Sequence, residues 1–243
     1  MMKTRLATSL ESRPPGLSLI AALAVAGLLA FAAPVRALDL TSLTRADAAA
    51  GVKAALDQGS AAAVARLGVE NGFLKNPKAK IPLPDGLKQA EKVMKLMGRQ
   101  QQFDDLVVSI NRAAEAAIPQ ARPLLVSAIK SMSVADAKAI IAGGDDSVTD
   151  FFRAKTEKAL SAKFLPIVKQ TTDKAGLAQQ YNSLAGQAAS FGVIKAEDAR
   201  IENYVTRKAM AGLFLMIAEE ERAIRQDPVA TGSAILKKVF GAN

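Results

Sequence analysis

Cysteine, histidine and tryptophan are all absent from this 243-residue chain, and only two tyrosines are present. Without cysteine there is no disulfide and no thiolate nucleophile. Without histidine there is no imidazole base for a Ser-His-Asp triad. Zinc sites built from nitrogen and sulfur ligands are excluded for the same reason. Any catalysis would have to use carboxylates, lysine, tyrosine or serine, and the sequence predicts no catalytic residue, no metal site and no cofactor.

Long blocks of like charge are also missing, and aromatic residues make up only 5% of the chain. Lysine and arginine number 32 against 23 aspartates and glutamates. This moderately basic balance is interpreted as surface lysines scattered over a soluble protein; the alternative is an anionic partner such as lipid headgroups or nucleic acid. Because aromatic residues are not interleaved with the basic ones, the pattern provides no stacking platform for single-stranded nucleic acid. A nucleic-acid partner is therefore not predicted.

The N-terminal segment is typical of a secretory signal peptide. Three basic residues precede an uncharged, mainly apolar run over residues 17–33, and a Val-Arg-Ala sequence ends at Ala37. We expect cleavage after Ala37, which makes residues 1–37 a signal peptide and places residues 38–243 in the periplasm or outside the cell. The alternative is an inner-membrane anchor through residues 17–33, although a spanning helix usually needs about 20 residues.

The rest of the chain shows the apolar periodicity of helices. Apolar residues recur at three- and four-residue spacing and period-two alternation is nearly absent, which predicts an all-α fold. We expect one helical bundle of about eight to ten helices over residues 38–243. The predicted helices cover residues 44–67, 85–97, 100–118, 120–131, 133–142, 147–168, 177–190, 200–226 and 228–240. We expect Ser133 with Asp136 to cap the helix at 133–142.

Residues 68–86 interrupt the helical pattern with three prolines and three glycines. Proline fixes φ and keeps the residue before it extended, so this stretch cannot be a regular helix. Its strongly apolar residues are Phe73, Leu74, Ile81 and Leu83. We predict an ordered loop that lays these side chains over the bundle.

Two polar groups lie inside otherwise apolar helices. Asn111, Arg112 and Glu115 are within about one helical turn of each other, and Tyr181 and Asn182 form a second group. Each group has two interpretations, a buried polar network or one wall of a ligand pocket. Buried polar atoms without partners are costly, so the network is favoured wherever these side chains are buried.

Acidic residues occur next to each other at two places. Asp145 and Asp146 precede the helix that begins near Ser147, and they lack the ligand spacing of an EF-hand. We interpret them as part of a helix cap, with weak ion binding as the alternative. The three glutamates at 219–221 sweep about 200° of a helix, so they cannot converge on one ion. They are predicted to face solvent, with local pairs from Glu221 to Arg225 and from Glu219 to Arg222 and with Glu220 nearest the buried side.

Several long phrases together resemble one bacterial family, the domain of unknown function 4197. They include "GFLKNPKAKIPLP", "SINRAAEAAIPQARP" and "YVTRKAMAGLFLMIAEEERAIRQDPVATGSAILKKVFG", and the resemblance covers about residues 38–241. It implies an exported or envelope-attached helical protein of Gram-negative bacteria. It supplies no activity, cofactor or catalytic residue. Some members are lipoproteins, whereas this chain has no cysteine to carry a lipid.

Three functional hypotheses follow from these patterns. The favoured one is a non-catalytic periplasmic protein that binds an apolar or amphipathic small molecule or a partner protein. The second is a carboxylate-based hydrolase or lyase, for which Glu115, Asp145, Asp146 and Tyr181 are the candidates. The third is a structural protein of the envelope, in peripheral contact with a membrane through its basic tail at Lys237 and Lys238 or through an uncleaved N-terminus.

Overall fold

The structure is a computed structural model that describes residues 45–85, 100–174 and 198–227 without a gap, together with individual positions between these ranges. The predicted signal peptide and the last predicted helix lie outside the described residues. The helices predicted at 85–97 and 177–190 lie mostly outside them. The signal peptide, the membrane anchor and the domain boundary at residue 37 stay predictions.

The described part of the chain is all-helical and contains no β-strand. It has six α-helices, so the expected count of eight to ten is not confirmed. They are α1 (Arg45–Leu67), α2 (Gln100–Ala117), α3 (Ala121–Lys130), α4 (Val134–Ala142), α5 (Ser147–Lys174) and α6 (Ile201–Gln226), with a one-turn 3-10 helix, Ile118–Gln120, between α2 and α3. None of the helices in this part is long and apolar enough to cross a bilayer.

Helix α6 is the centre of the bundle and packs against α1, α2 and α5. Its apolar residues recur every three or four positions, so one broad stripe is buried, including Leu213 and Ile217. Helix α5 packs along it and also contacts α2, α3 and α4. Helix α5 runs on through Pro166, which lies on its exposed side.

The core is one continuous cluster of buried side chains that draws on every helix and on the loop after α1. Its largest members include four phenylalanines, Phe73, Phe152, Phe164 and Phe214, each at most 1% exposed. Burying a side chain of this size stabilises the fold by about 1.5–3 kcal/mol. This core takes the place of the disulfides that the chain cannot form.

Helix α4 begins with the capping box that the sequence predicts. The hydroxyl of Ser133 accepts a hydrogen bond from the Asp136 N–H at 3.1 Å, and the Asp136 carboxylate accepts from the Ser133 N–H at 2.9 Å. The bonds from Ser133 hold the pKa of Asp136 below its usual value. The short helix α4 is thereby closed at its N-terminus.

Candidate functional site

The loop that follows α1 is ordered and partly buried, as the sequence predicts. Phe73, Ile81 and Leu83 are each at most 3% exposed. The ring of Phe73 lies against Gly212 of α6, where an added Cβ would come within 2.7 Å of Cε1 of Phe73. Glycine at 212 is therefore what allows the loop to lie so close to α6. We call residues 68–84 the strap.

Asn111 fastens the second half of the strap to α2. Its side-chain Oδ1 accepts a hydrogen bond from the Ile81 N–H at 2.9 Å, and its Nδ2 donates to the Ile81 carbonyl at 2.9 Å. The same Nδ2 also donates to the Val107 carbonyl at 2.7 Å. Asn111 is fully buried. Its amide thus pairs with both backbone groups of one strap residue, and the network interpretation of Asn111 holds.

Glu115 and Arg112 fasten the first half of the strap. The Oε1 atom of Glu115 accepts from the N–H groups of Phe73 and Leu74 at 3.0 and 3.1 Å. The other carboxylate oxygen accepts from Arg112 at 2.6 Å. Arg112 also donates to Asn71 at 3.0 Å, and Asn71 has φ +69°. The three residues that the sequence groups together all hold the strap, Asn111 at its second half and Glu115 with Arg112 at its first half. We call these contacts the strap network.

Tyr204 of α6 provides a further attachment. Its hydroxyl donates to the carbonyl of Pro82 at 2.7 Å. Burial is the main cause that raises the pKa of Tyr204 well above its usual value, and the carboxylate of Asp198 adds to it. The phenol therefore stays protonated and remains a donor. With Tyr204, the strap is tied to both α2 and α6.

An open groove lies between the strap and α2. Its volume is about 500 Å³, which is within the range of about 300–1,000 Å³ typical of small-molecule sites. Three separate parts of the chain form it: the strap, the positions Lys88, Glu91 and Lys95, and the first half of α2. Its lining residues are Leu74, Lys80, Pro82, Leu83, Lys88, Glu91, Lys95, Asp104, Val107 and Val108.

The groove is lined by apolar side chains, which we call its floor, and by charged side chains, which we call its rim. Its apolar lining comes from the strap and from Val107 and Val108, and Val108 is 40% exposed. The rim carries three lysines and two carboxylates. Lys88 is engaged by Asp85 at 2.6 Å. Within the described part of the chain, Lys80 and Lys95 form no ion pair. Leu96, which follows the lining residue Lys95 in sequence, is 89% exposed.

The second predicted polar group lies at the start of α6. The Tyr181 hydroxyl donates to the carbonyl of Asp198 at 2.8 Å, and Asn182 accepts from the Ile201 N–H at 2.8 Å. Asn182 therefore satisfies a free N–H in the first turn of α6. Burial is the largest cause that raises the pKa of Tyr181. These contacts fix the start of α6 and are separate from the strap network.

The acidic residues before α5 are exposed. Asp146 pairs with Arg222 at 3.3 Å, and Asp145 is exposed on the same turn. Glu115, in contrast, is buried beneath the strap. The three carboxylates proposed for hydrolysis thus fall into two different environments.

The prediction that all three glutamates at 219–221 face solvent is wrong for Glu221. This side chain is 2% exposed and its carboxylate accepts hydrogen bonds from the N–H groups of Val148 and Thr149 at 3.1–3.3 Å. It also pairs with Arg225 at 2.9 Å, as predicted. Glu221 therefore caps the N-terminus of α5 from another helix, a role that the sequence analysis gave to the residues just before α5.

The other two glutamates also differ from the local pairing that was expected. Glu219 pairs with Lys78 of the strap, and Glu220 pairs with Arg66 of α1 at 2.9 Å. The expected pair between Glu219 and Arg222 is replaced, since Arg222 contacts Asp146 instead. The prediction that Glu220 lies nearest the buried side is wrong, because its side chain is 18% exposed and that of Glu221 only 2%.

Two other concave regions are weaker candidates. A cavity of about 20 Å³ lies between α1, α5 and α6 beside Glu221, which is room for about one water molecule. An open depression of about 620 Å³ follows the outer side of α5. Apart from Met210, α5 alone lines it, so it has no opposing wall. In the described ranges no group of three acidic side chains could hold a metal ion.

The comparison with known families agrees with the phrases quoted above. A family model described as "Protein of unknown function (DUF4197)" matches residues 42–241. The chain belongs to this family. No curated protein and no solved structure matches the chain. For this member of the family, the groove and the strap network are therefore the basis for any functional argument.

Sequence reasoning singled out Leu74 and Leu83 but did not identify the groove that they line. One signal was available in Val108, an apolar residue next to the predicted apolar face of α2 and not on it. The alternation of lysine and apolar residues in the strap, at Lys78, Lys80 and Ile81, was another. Neither signal indicates which segments come together, because the groove is formed by parts of the chain that are not adjacent in sequence.

Proposed function

We propose that the chain is a non-catalytic binding protein whose groove takes the apolar part of an amphiphilic small molecule. The proposal includes export by residues 1–37 and action of the remaining domain in the periplasm. The observation that carries it is the groove itself, with its apolar floor, charged rim and walls from three segments. An amphiphile would place its chain along Leu83, Val107 and Val108 and its headgroup among the rim charges.

The strap network supports this proposal because it holds one wall of the groove in place. Glu115 bonds directly to the backbone of Leu74, and Asn111 bonds to Ile81, which lies between the lining residues Lys80 and Pro82. A wall held by buried hydrogen bonds needs little reordering when a ligand binds. Asn111, Arg112 and Glu115 act here as positioning residues and do not need to contact the ligand.

A fluorescence titration tests the proposal. The full chain would be expressed and the protein recovered from the periplasmic extract, with its first residue read by N-terminal sequencing. We expect a start at Leu38 and saturable binding of N-phenyl-1-naphthylamine, a neutral apolar dye. Monolauroyl glycerol, a neutral amphiphile, should displace the dye.

A pair of matched variants locates the binding. Val108→Trp places a large ring in the groove, whereas Val134→Trp changes an exposed valine of α4 that does not line it. We expect Val108→Trp to weaken binding by about tenfold or more, because the ring occupies space that the ligand needs. Val134→Trp should bind as the parent does. Equal affinities for the two variants, or no saturable binding by the parent, would contradict the proposal.

A further inference from the structure

The charged side chains that line the groove indicate which kind of headgroup a bound amphiphile would carry. Lys80 and Lys95 line it, and neither forms an ion pair within the described residues, while Lys88 is already engaged by Asp85. Two lysines are therefore available to an incoming anion. Glu91 and Asp104 also line the groove and would repel the same anion.

We infer that the ligand is a single-chain amphiphile with an acidic headgroup, a carboxylate or a phosphate, which Lys80 and Lys95 bind. The inference rests on the proposed function, because the apolar chain must lie in the groove to bring the headgroup to these lysines. A cationic headgroup placed there would be repelled by the ammonium groups of Lys80 and Lys95.

The methylene groups of Lys80 and Lys95 also suit the binding of an amphiphile. A lysine side chain can lay its methylene groups along apolar surface while its ammonium group remains at the edge. Lys80 lies between the buried residues Ala79 and Ile81, and its own side chain is exposed. Lys95 precedes the exposed Leu96. Each ammonium group therefore belongs to a residue beside apolar surface, as the binding of an amphiphile requires.

The experiment compares ligands that share a chain and differ in headgroup. Dodecanoate, dodecyl phosphate, monolauroyl glycerol and dodecyltrimethylammonium would each displace the neutral dye below the concentration at which they form micelles. Acetate and inorganic phosphate serve as controls that carry the anionic group without an alkyl chain. We expect the two anionic amphiphiles to bind several-fold more tightly than the neutral one, the cation to bind most weakly, and the two small anions not to displace the dye.

Three double variants test the residues. Lys80→Gln with Lys95→Gln should weaken dodecanoate binding by about five- to tenfold and leave monolauroyl glycerol unchanged, since each exposed charge contact contributes a factor of about two to five. Glu91→Gln with Asp104→Asn should strengthen dodecanoate binding by about twofold or more. Lys130→Gln with Lys138→Gln removes the same charge from α3 and α4, outside the groove, and should change neither ligand.

The outcomes separate the two proposals. If the neutral and anionic amphiphiles bind equally and the groove lysines have no effect, the headgroup inference is overturned while the proposed function stands. If no amphiphile displaces the dye, both are overturned. An equal loss in the two lysine double variants would show a general effect of net charge, and would also overturn the assignment to Lys80 and Lys95.

Discussion

Asn111 pairs with both backbone groups of Ile81, which lies 30 residues earlier in the chain. Ile81 lies outside any helix or strand, so its N–H and carbonyl have no partners within regular secondary structure. One amide side chain provides both partners. Such pairing is specific, because only an amide offers a donor and an acceptor in this geometry. Asn111 is therefore one of the buried residues that hold the wall of the groove.

Replacing Asn111 by alanine should lower the free energy of unfolding by more than the loss of a side chain of this size alone would. Asn111→Ala leaves the N–H and the carbonyl of Ile81 buried without partners, and we expect a loss of about 2–4 kcal/mol in the free energy of unfolding. Gln101→Ala removes an exposed side chain that bonds only to Asp105, and should cost less than about 0.5 kcal/mol. Urea unfolding measures both, and equal losses would show that Asn111 does not hold the strap.

Substitution of Glu221 should lower the stability of the protein more than substitution of Glu219, although the two residues are only two positions apart. Glu221→Ala leaves N–H groups of the first turn of α5 without their acceptor and Arg225 without its carboxylate. We expect it to cost about 2–4 kcal/mol of stability. Glu219→Ala breaks a surface pair with Lys78 and should cost at most about 1 kcal/mol. Thermal or urea unfolding that ranks the two variants equally would contradict the capping role.

Gly212 should not tolerate even alanine. The added methyl group would lie 2.7 Å from the buried ring of Phe73, so either the strap or α6 must shift. We expect Gly212→Ala to destabilise the protein by about 1–3 kcal/mol and to weaken ligand binding. Gly144→Ala is the control, because a Cβ at Gly144 meets no atom within 4 Å. A neutral result at position 212 would mean that the strap does not pack there.

The two tyrosines predict how stability falls in alkaline solution. Burial raises the pKa of Tyr181 and Tyr204 above their usual value of 10.0. The unfolded chain therefore loses these protons first, and the stability that the neutral phenols provide is present below about pH 10 and is lost as the pH rises above it. Since the chain has no tryptophan and no other tyrosine, phenolate absorbance reports both groups. We expect it to appear only together with unfolding.

Phenylalanine variants provide the control for this titration. Tyr181→Phe with Tyr204→Phe should unfold with a flatter dependence on pH above 10, although its stability near neutral pH is lower because two hydrogen bonds are lost. Phenolate absorbance that rises near pH 10 in the folded parent, with helical circular dichroism unchanged, would show that these hydroxyls are not buried as described.

The helices were largely predictable because their signals are local. The periodicity of apolar residues gave α2 and α6 to within about one residue at each end, and the Ser133 and Asp136 spacing gave the cap of α4. These features depend on neighbours in sequence. Proline and glycine likewise indicated the strap, although not which helices it would contact.

The candidate site was less predictable because it depends on distant segments. Asn111 and Glu115 were identified as unusual, but their partners in the strap lie 30 and 42 residues away. Glu221 was misassigned because three consecutive glutamates suggest a solvent-facing stretch. Its spacing of four from Ile217 and three before Ile224 places it on the buried stripe of α6, and that spacing was the better guide.

The most direct test of the account is a backbone amide NMR titration of the isotope-labelled protein with dodecanoate. The account predicts a saturable set of chemical-shift changes centred on Leu74, Lys80, Leu83, Val107 and Val108, absent in Val108→Trp and present in Val134→Trp. Shifts confined to another region, such as the cavity beside Glu221, or no shifts at saturating ligand would contradict the claim that this groove binds an amphiphile.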